Sequence, residues 1–291
     1  MSSSAISRPL PASARNAVRI PERTLPLIRD LVHDRTGLHY DDERLDVIAD
    51  RCTTLATARG FDSLLDYYYL LKYDPHADEE WVRVVDALSV RETYFWREFD
   101  QVRALTQAIV PRLLELHRRP IRIWSLPCAT GEEPLSLAMA LTEAGWFSRA
   151  AIEIHAADAS AAALTRARAG RFGVRAFRQL PGELQQRYFD HDVHTGEWVI
   201  RPAIHERVQS WHRLNVMQPA ELRLLHGADV VFCRNMFIYF QEAGIRRVVN
   251  DLAGLMASPG YLCVGAAESL LRLGTPFELQ DIQGAYVYVK S

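Results

Sequence analysis

The residues best placed to do chemistry stand where short apolar runs stop. The run Ile121–Leu126 breaks into a small-residue loop, Ala129-Thr130-Gly131. Two carboxylates follow it, Glu132 and Glu133, and then Pro134 opens an apolar helical pattern. The run Ala151–Ala157 stops at Asp158. The run Ala228–Cys233 stops at Arg234-Asn235, and Asn215 lies just before it. Small side chains let a backbone approach a ligand, and a helix start offers free N–H groups. A carboxylate at the end of the next strand can accept hydrogen bonds from two ribose hydroxyls, and it would repel a 2′-phosphate. An Asn amide offers both a donor and an acceptor, which suits an adenine edge or an amino-acid end.

This is not a phosphate site. The G-x-G-x-x-G pattern is absent, and Glu132 and Glu133 would repel a pyrophosphate. A cationic cofactor without phosphate fits better. S-adenosylmethionine has adenine, ribose, a sulfonium and an ammonium, and acids near the loop favour it electrostatically. The same residues also have plain structural uses. Glu132 and Glu133 can be first-turn helix acids, Asp158 a helix N-cap, and Arg97 a partner of Glu92 or Asp100.

The elements that must position these residues are legible in the pattern. Residues 21–90 read as helical: a stripe at Leu25, Leu27, Ile28, Leu31 and Val32 ends at Gly37. A second helix, capped by Asp41 or Asp42, runs through Ala58, and a third, capped by Asp62, ends before Pro75. Residues 1–20 read as a disordered tail. A helix from about Asp100 to Arg118 is interrupted by Pro111. Strands at 121–126, 151–157 and 228–233 then alternate with helices, which implies a parallel sheet covered on both faces. Tyr261–Gly265 and the alternating Ala285–Val289 add late strands, the last of antiparallel type. Tyr188–Leu214 carries the turn signal Thr195-Gly196 and reads as a small antiparallel β insertion.

Whole-chain properties narrow the function classes. The formal net charge of −2 gives no case for nucleic acid or a membrane surface. Between residues 22 and 88 there are 8 Arg and Lys against 15 Asp and Glu, a balance of −7, which disfavours an anionic partner for that part. Cys52, Cys128, Cys233 and Cys263 have no zinc-site spacing and read as free thiols. His191, His194, His205 and His212 read as solvated rather than as metal ligands. No run reaches the about 18 apolar residues of a membrane helix. The start, MSSSAISRPLPASARNAVRIP, is a poor secretory signal, so a cytoplasmic protein is expected.

Five blocks together carry a specific resemblance. They are RETYFWREFDQ at 91–101, IWSLPCATGEEPLSLAMAL at 123–141, IHAADASAAALTRARAGRF at 154–172, LNV at 214–216, and VVFCRNMFIYF with GYLCVGAAESL at 230–240 and 260–270. The chain resembles the chemotaxis-receptor glutamate methyltransferases, the CheR family, over about residues 21–291. The resemblance implies a Rossmann-like, S-adenosylmethionine-dependent methyltransferase domain of α/β class at 121–291. That domain carries a small antiparallel β subdomain at about 188–214. An all-helical N-terminal domain at 21–90 and a linker helix with cofactor contacts at 91–120 precede it. It implies methyl transfer to receptor glutamates, with S-adenosylhomocysteine as product and the cytoplasmic domain of a methyl-accepting chemoreceptor as partner. No nucleic acid, no membrane insertion and a monomer are expected. By motif position, Arg97 and Tyr239 are the candidate catalytic residues. Arg91, Thr93, Arg97, Glu133, Asp158, Asn215, Val216, Asn235 and Met236 are the candidate cofactor contacts.

The chain departs from the family pattern at several places. Pro127 and Ala129 stand where a small residue, often Gly, and Ser are usual, and Arg91 stands where Asn is common. Thr53, Thr54 and Thr57 lie where receptor-binding members carry arginines, although Arg44, Arg51 and Arg59 remain. Two other readings compete: a relative that binds cofactor or protein without catalysis, and a methyltransferase for another substrate. The absence of an N-P-P-Y or D-P-P-Y motif argues against a nucleic-acid base as that substrate.

Overall fold

The structure is a computed structural model describing residues 18–21, 23–90 and 92–291 of the chain. Four helices come first: α1 (Thr24–Thr36), α2 (Leu45–Ala58), α3 (Leu64–Tyr73) and α4 (Ala77–Leu88). Ile28, Val32, Ile48, Cys52, Tyr67, Leu71, Trp81 and Val84 recur at helical spacing and meet in one buried core. The cap of α3 is Ser63, whose hydroxyl accepts from the Leu65 N–H, and not Asp62. Asp62 is used through its backbone, since its carbonyl accepts from Arg19 N at 2.9 Å. That bond and the burial of Val18 bring the end of the expected tail into the fold. Residues 1–17 of that tail lie outside the described residues.

The expected helix around Pro111 is three pieces. They are α5 (Phe99–Ala104), a wide π turn at Leu105–Ile109, and α6 (Val110–Glu115) with Pro111 in its first turn. Proline lacks an N–H, and the first turn of a helix has no use for one.

Strands and helices then alternate as β1 (Ile121–Ser125), α7 (Glu132–Glu143), β2 (Ile152–Asp158), α8 (Ala161–Ala169) and β3 (Arg171–Phe172). There follow α9 (Gly182–Tyr188), β4 (Phe189–Asp192), β5 (Glu197–Ile200), α10 (Pro202–His205), β6 (Val208–Arg213), α11 (Pro219–Leu222) and β7 (Val230–Phe232). The chain ends with α12 (Glu242–Leu255), β8 (Gly260–Cys263), β9 (Glu278–Ile282) and β10 (Ala285–Lys290). The main sheet has the order β6-β2-β1-β7-β8-β10-β9. β1 pairs in parallel with β2 on one side and β7 on the other, so the strand order reverses there. β10 is antiparallel to both β8 and β9, as its alternating sequence implies. Ile121, Ile123 and Ile154 face one core, and Trp124, Ala157 and Val231 face the other.

The β insertion differs from the sequence expectation. The small antiparallel sheet is β3-β5-β4, so it begins at Arg171 and ends at Ile200. β6 leaves it and joins the main sheet, parallel to β2. Val208 is buried in the main core, and the His212 ring lies 5.6 Å from the Trp124 ring. His155 Nδ1 and His212 Nε2 both approach Ser210 Oγ, at 2.7 and 2.8 Å. A half-buried edge strand reads the same in sequence whichever sheet it joins.

Candidate functional site

The crevice outside an open α/β sheet forms where the strand order reverses. Here the ends of β1, β2 and β7 converge on it. After β1 the chain turns through Ala129 (φ 45°) and Gly131 (φ 100°), which precedes α7. A Cβ on Gly131 would stand 3.1 Å from Ala167 Cβ and 3.2 Å from Trp211 Cη2, so the loop lies tight against α8 and β6. Asp158 at the end of β2 holds this loop. Its Oδ2 accepts from Ala129 N at 2.8 Å, and its Oδ1 accepts from Ser160 N at 2.8 Å.

A cleft of about 740 Å³, its open mouth included, lies between the sheet ends and the N-terminal helices. Leu126, Pro127, Ala129, Asp158, Leu214, Asn215, Val216, Asn235, Met236 and Tyr239 line it from the α/β side, and Thr36, Leu38, Val85, Ser89 and Val90 from the helical side. Among the described residues its lining contains no Lys or Arg. A second, charged compartment adjoins it through Val90, Pro127, Ala129 and Asn235, and it adds Glu92, Thr93, Tyr94, Arg97, Glu133 and Arg234. The candidate residues Thr93, Arg97, Glu133, Asp158, Asn215, Val216, Asn235, Met236 and Tyr239 therefore line two adjoining compartments. Arg91 lies outside the described residues.

The charges are more tightly paired than the sequence suggests. Glu133 accepts from Ser125 Oγ at 2.7 Å and from Arg234 Nε at 2.6 Å. Arg234 is almost fully buried, and its Nη1 also donates to the carbonyls of Arg97 and Glu98. Arg97 donates to the Glu92 carbonyl at 3.1 Å and its Nε stands 3.8 Å from Glu98, whereas Asp100 pairs with Arg103. Asn215 spends its amide on protein: Nδ2 donates to the Arg35 carbonyl of α1, and Oδ1 accepts from Met217 N. Asn235 has a left-handed backbone (φ 59°) and donates through N to Glu268 and through Nδ2 to Glu98.

Sequence reasoning assigned no role to Glu98, Arg234 or Glu268. Glu268 accepts from the N–H groups of Asn235, Phe237 and Gly265 at 2.8, 2.6 and 2.6 Å, and so holds the segment carrying Asn235, Met236 and Tyr239. Glu98 and Glu268 are marked in the sequence by their place inside the matched blocks, and Arg234 also by standing where the run Ala228–Cys233 stops.

Burial shapes the neighbouring titratable groups. Burial pushes the Cys128 and Cys233 thiols well above their ordinary range, and Cys263 to about 12. Glu132 is buried and its carboxyl is pushed up by that burial, against the hydrogen bond from Thr130. Three of the four histidines have separate neighbours: His191 lies against Trp198, His205 beside the Ala167 carbonyl, and His212 beside Ser210.

Residues 91–285 match the model of the CheR methyltransferase SAM-binding domain, and residues 23–89 match its all-alpha domain. The chain belongs to the CheR methyltransferase family. Relatives include Chemotaxis protein methyltransferase 2 of Vibrio cholerae, 29% identical over 94% of this chain and 95% of that one. Chemotaxis protein methyltransferase 1 of Pseudomonas aeruginosa is 31% identical over 90% and 96%. The probable biofilm formation methyltransferase WspC of Pseudomonas putida is 33% identical over 89% of this chain but 60% of its own length.

As a CheR methyltransferase the chain uses S-adenosylmethionine, and the cleft suits that group. The mostly apolar compartment without Lys or Arg fits an adenosine and offers no partner to a phosphate, while Asp158 can accept from hydroxyls. The adjoining compartment supplies paired charges of both signs for an amino-acid end and a sulfonium.

Proposed function

We propose that this CheR-family chain methylates the side-chain carboxylates of glutamates on the cytoplasmic domain of a methyl-accepting chemoreceptor, giving methyl esters. The observation that carries the reading is Arg97. It lines the charged compartment together with Glu133 and Asn235, and among the described residues its guanidinium pairs with Glu98 alone, at 3.8 Å. It is a cation placed where a methyl acceptor that is itself an anion must arrive. The names of the Vibrio and Pseudomonas chemotaxis relatives support the same reading.

Bound S-adenosylmethionine supplies an electrophilic methyl group. The chain's own part is modest. A glutamate side chain with a pKa of about 4.3 is already ionised at neutral pH, so no general base is needed. Arg97 receives the carboxylate, and Tyr239 flanks it from the adjoining wall. Thr93, Glu133, Asp158, Asn215, Val216, Asn235 and Met236 hold the cofactor: Asp158 by its hydroxyls, Val216 and Met236 as apolar walls, Glu133 and Asn235 toward the charged end. Arg91, placed with them by the sequence, completes this set. The apolar lining excludes water, and the work of catalysis is alignment. The chain acts as a cytoplasmic monomer, with the β3-β5-β4 subdomain docking a receptor tail by strand addition.

Labelled-methyl transfer to receptor-containing membranes tests the reading. The label is expected to be base-labile, as an ester is. Arg97→Ala is expected to lower turnover by about a hundredfold while largely sparing S-adenosylhomocysteine binding measured by calorimetry. Cofactor binding without base-labile label in the wild type would overturn the reading in favour of a regulatory binding module.

A further inference from the structure

A glutamate-bearing segment is acidic, so the face it meets must carry positive charge that is not already spent. The helical domain is a poor candidate, with 8 Arg and Lys against 15 Asp and Glu between residues 22 and 88. On and beside α2, Arg59 is held by the buried Glu80, and Arg44 and Arg51 stand within the acidic excess of this domain, Arg51 next to Asp50. The hydroxyls of Thr54 and Thr57 turn back onto carbonyls of their own helix.

A different rim of the cleft has the opposite character. The short turn Val174–Phe177 lies directly against the segment that carries Arg97. Phe95 N donates to the Ala176 carbonyl at 2.9 Å, and the Phe95 and Phe177 rings are 5.3 Å apart. The inner side of this turn is therefore fixed, and Val174, Arg175 and Arg178 are exposed. The Arg178 guanidinium lies 3.6 Å from the centre of the Tyr94 ring, and that of Arg97 lies 5.5 Å from the same centre. Among the described residues Arg175 has no ion-pair partner, and the partner of Arg178 is the exposed Glu92 at 3.2 Å. Arg166 on α8 is exposed too, and its field and that of Arg178 both reach buried Glu132.

We propose that Arg175 and Arg178, continued by Arg166, form a docking ridge for the acidic segment of the protein substrate and deliver it to Arg97. The proposal rests on the reading of the substrate given above. Tyr94 is the link: a guanidinium held on a ring face keeps its orientation and its charge while staying open to a carboxylate. An incoming glutamate takes the place of Glu92 on Arg178.

The test compares the R175E/R178E double variant with R44E/R51E on the full chain. Two probes are used: receptor-containing membranes for methyl transfer, and a labelled glutamate-rich helical peptide for binding by fluorescence anisotropy. The ridge variant is expected to raise KM for receptor and Kd for the peptide about tenfold, with S-adenosylhomocysteine affinity retained as evidence of folding. The α2 variant is expected to leave both constants within about twofold. Replacing the peptide's glutamates by glutamine is expected to abolish its binding to wild type. A larger effect from the α2 variant, or none from the ridge variant, overturns the ridge. If wild type methylates no receptor, the proposed function fails, and the peptide still decides the ridge: binding lost in R175E/R178E supports it, and equal binding overturns it.

Discussion

The guanidinium of Arg234 has 3% of its side chain exposed and meets Glu133 at 2.6 Å. A charge so placed is held by its partners rather than by water, and removing it leaves the others uncompensated. Arg234→Ala leaves the Glu133 carboxylate with the Ser125 hydroxyl but without its cation, and takes a donor from the carbonyls of Arg97 and Glu98. The expected loss is about 3–5 kcal/mol of folding stability, read by urea unfolding. Arg234→Lys keeps the charge but not the fork, and is expected to fall between the two. An Ala variant as stable as wild type would show that the buried pair contributes nothing. Glu133 and Asp158 are legible in the sequence because each borders a strand–loop junction that local pattern reveals. Arg234 borders such a junction too, but its pairing with Glu133 is not legible, because the two lie 101 positions apart and only the sheet order brings β1 and β7 together.

At the level of elements, the strands that could be read are those whose apolar residues are mostly buried: β7 and β8 throughout, β1 and β2 toward their C-terminal ends, and β10 by its alternation. β6 is half-exposed, and its alternation assigns it to a sheet but not to which sheet. A parallel ladder from Ile154 and Val208 to Asp158 and Arg213 ties it to β2, and beside that ladder the imidazoles of His155 and His212 both approach Ser210 Oγ. Burial pushes both His155 and His212 below the ordinary histidine range; Arg168 adds to the shift of His212, while Glu153 opposes that of His155. The folded chain therefore binds these protons less readily than the unfolded one. The stability they allow is complete above the unfolded value of about 6.5 and is lost as pH falls through it toward the lower folded values. Thermal midpoints are thus expected to drop between about pH 7 and pH 5.5, and to drop less in a His155→Gln, His212→Gln double variant. Parallel pH profiles for the two proteins would remove the imidazoles from the explanation.

Across the whole molecule, the cleft proposed to hold the cofactor belongs to neither domain alone. Thr36, Leu38, Val85, Ser89 and Val90 close it from the helical side. The junction is made by backbone: Leu38 bridges Phe240, His39 N donates to the Tyr239 carbonyl at 2.8 Å, and the Arg35 carbonyl accepts from Asn215. The sequence displayed both domains but not this seam, because none of its bonds leaves a mark in hydrophobic periodicity. Gly37 sits at its centre with φ 78°, and a Cβ there would collide with the Phe240 ring and press on Met217 Sδ. Gly60 offers the natural control, with φ 80° and open space around it. Alanine at either position carries the left-handed strain of about 1–2 kcal/mol. Only Gly37→Ala should also push α1 away from Tyr239 and Asn215. It is expected to weaken S-adenosylhomocysteine binding by about tenfold or more, although Gly37 is not itself a cleft-lining residue, while Gly60→Ala binds as wild type does. Calorimetry on the two variants decides it. Equal affinities would mean that the end of α1 does not shape the cofactor site and that the seam is structural alone.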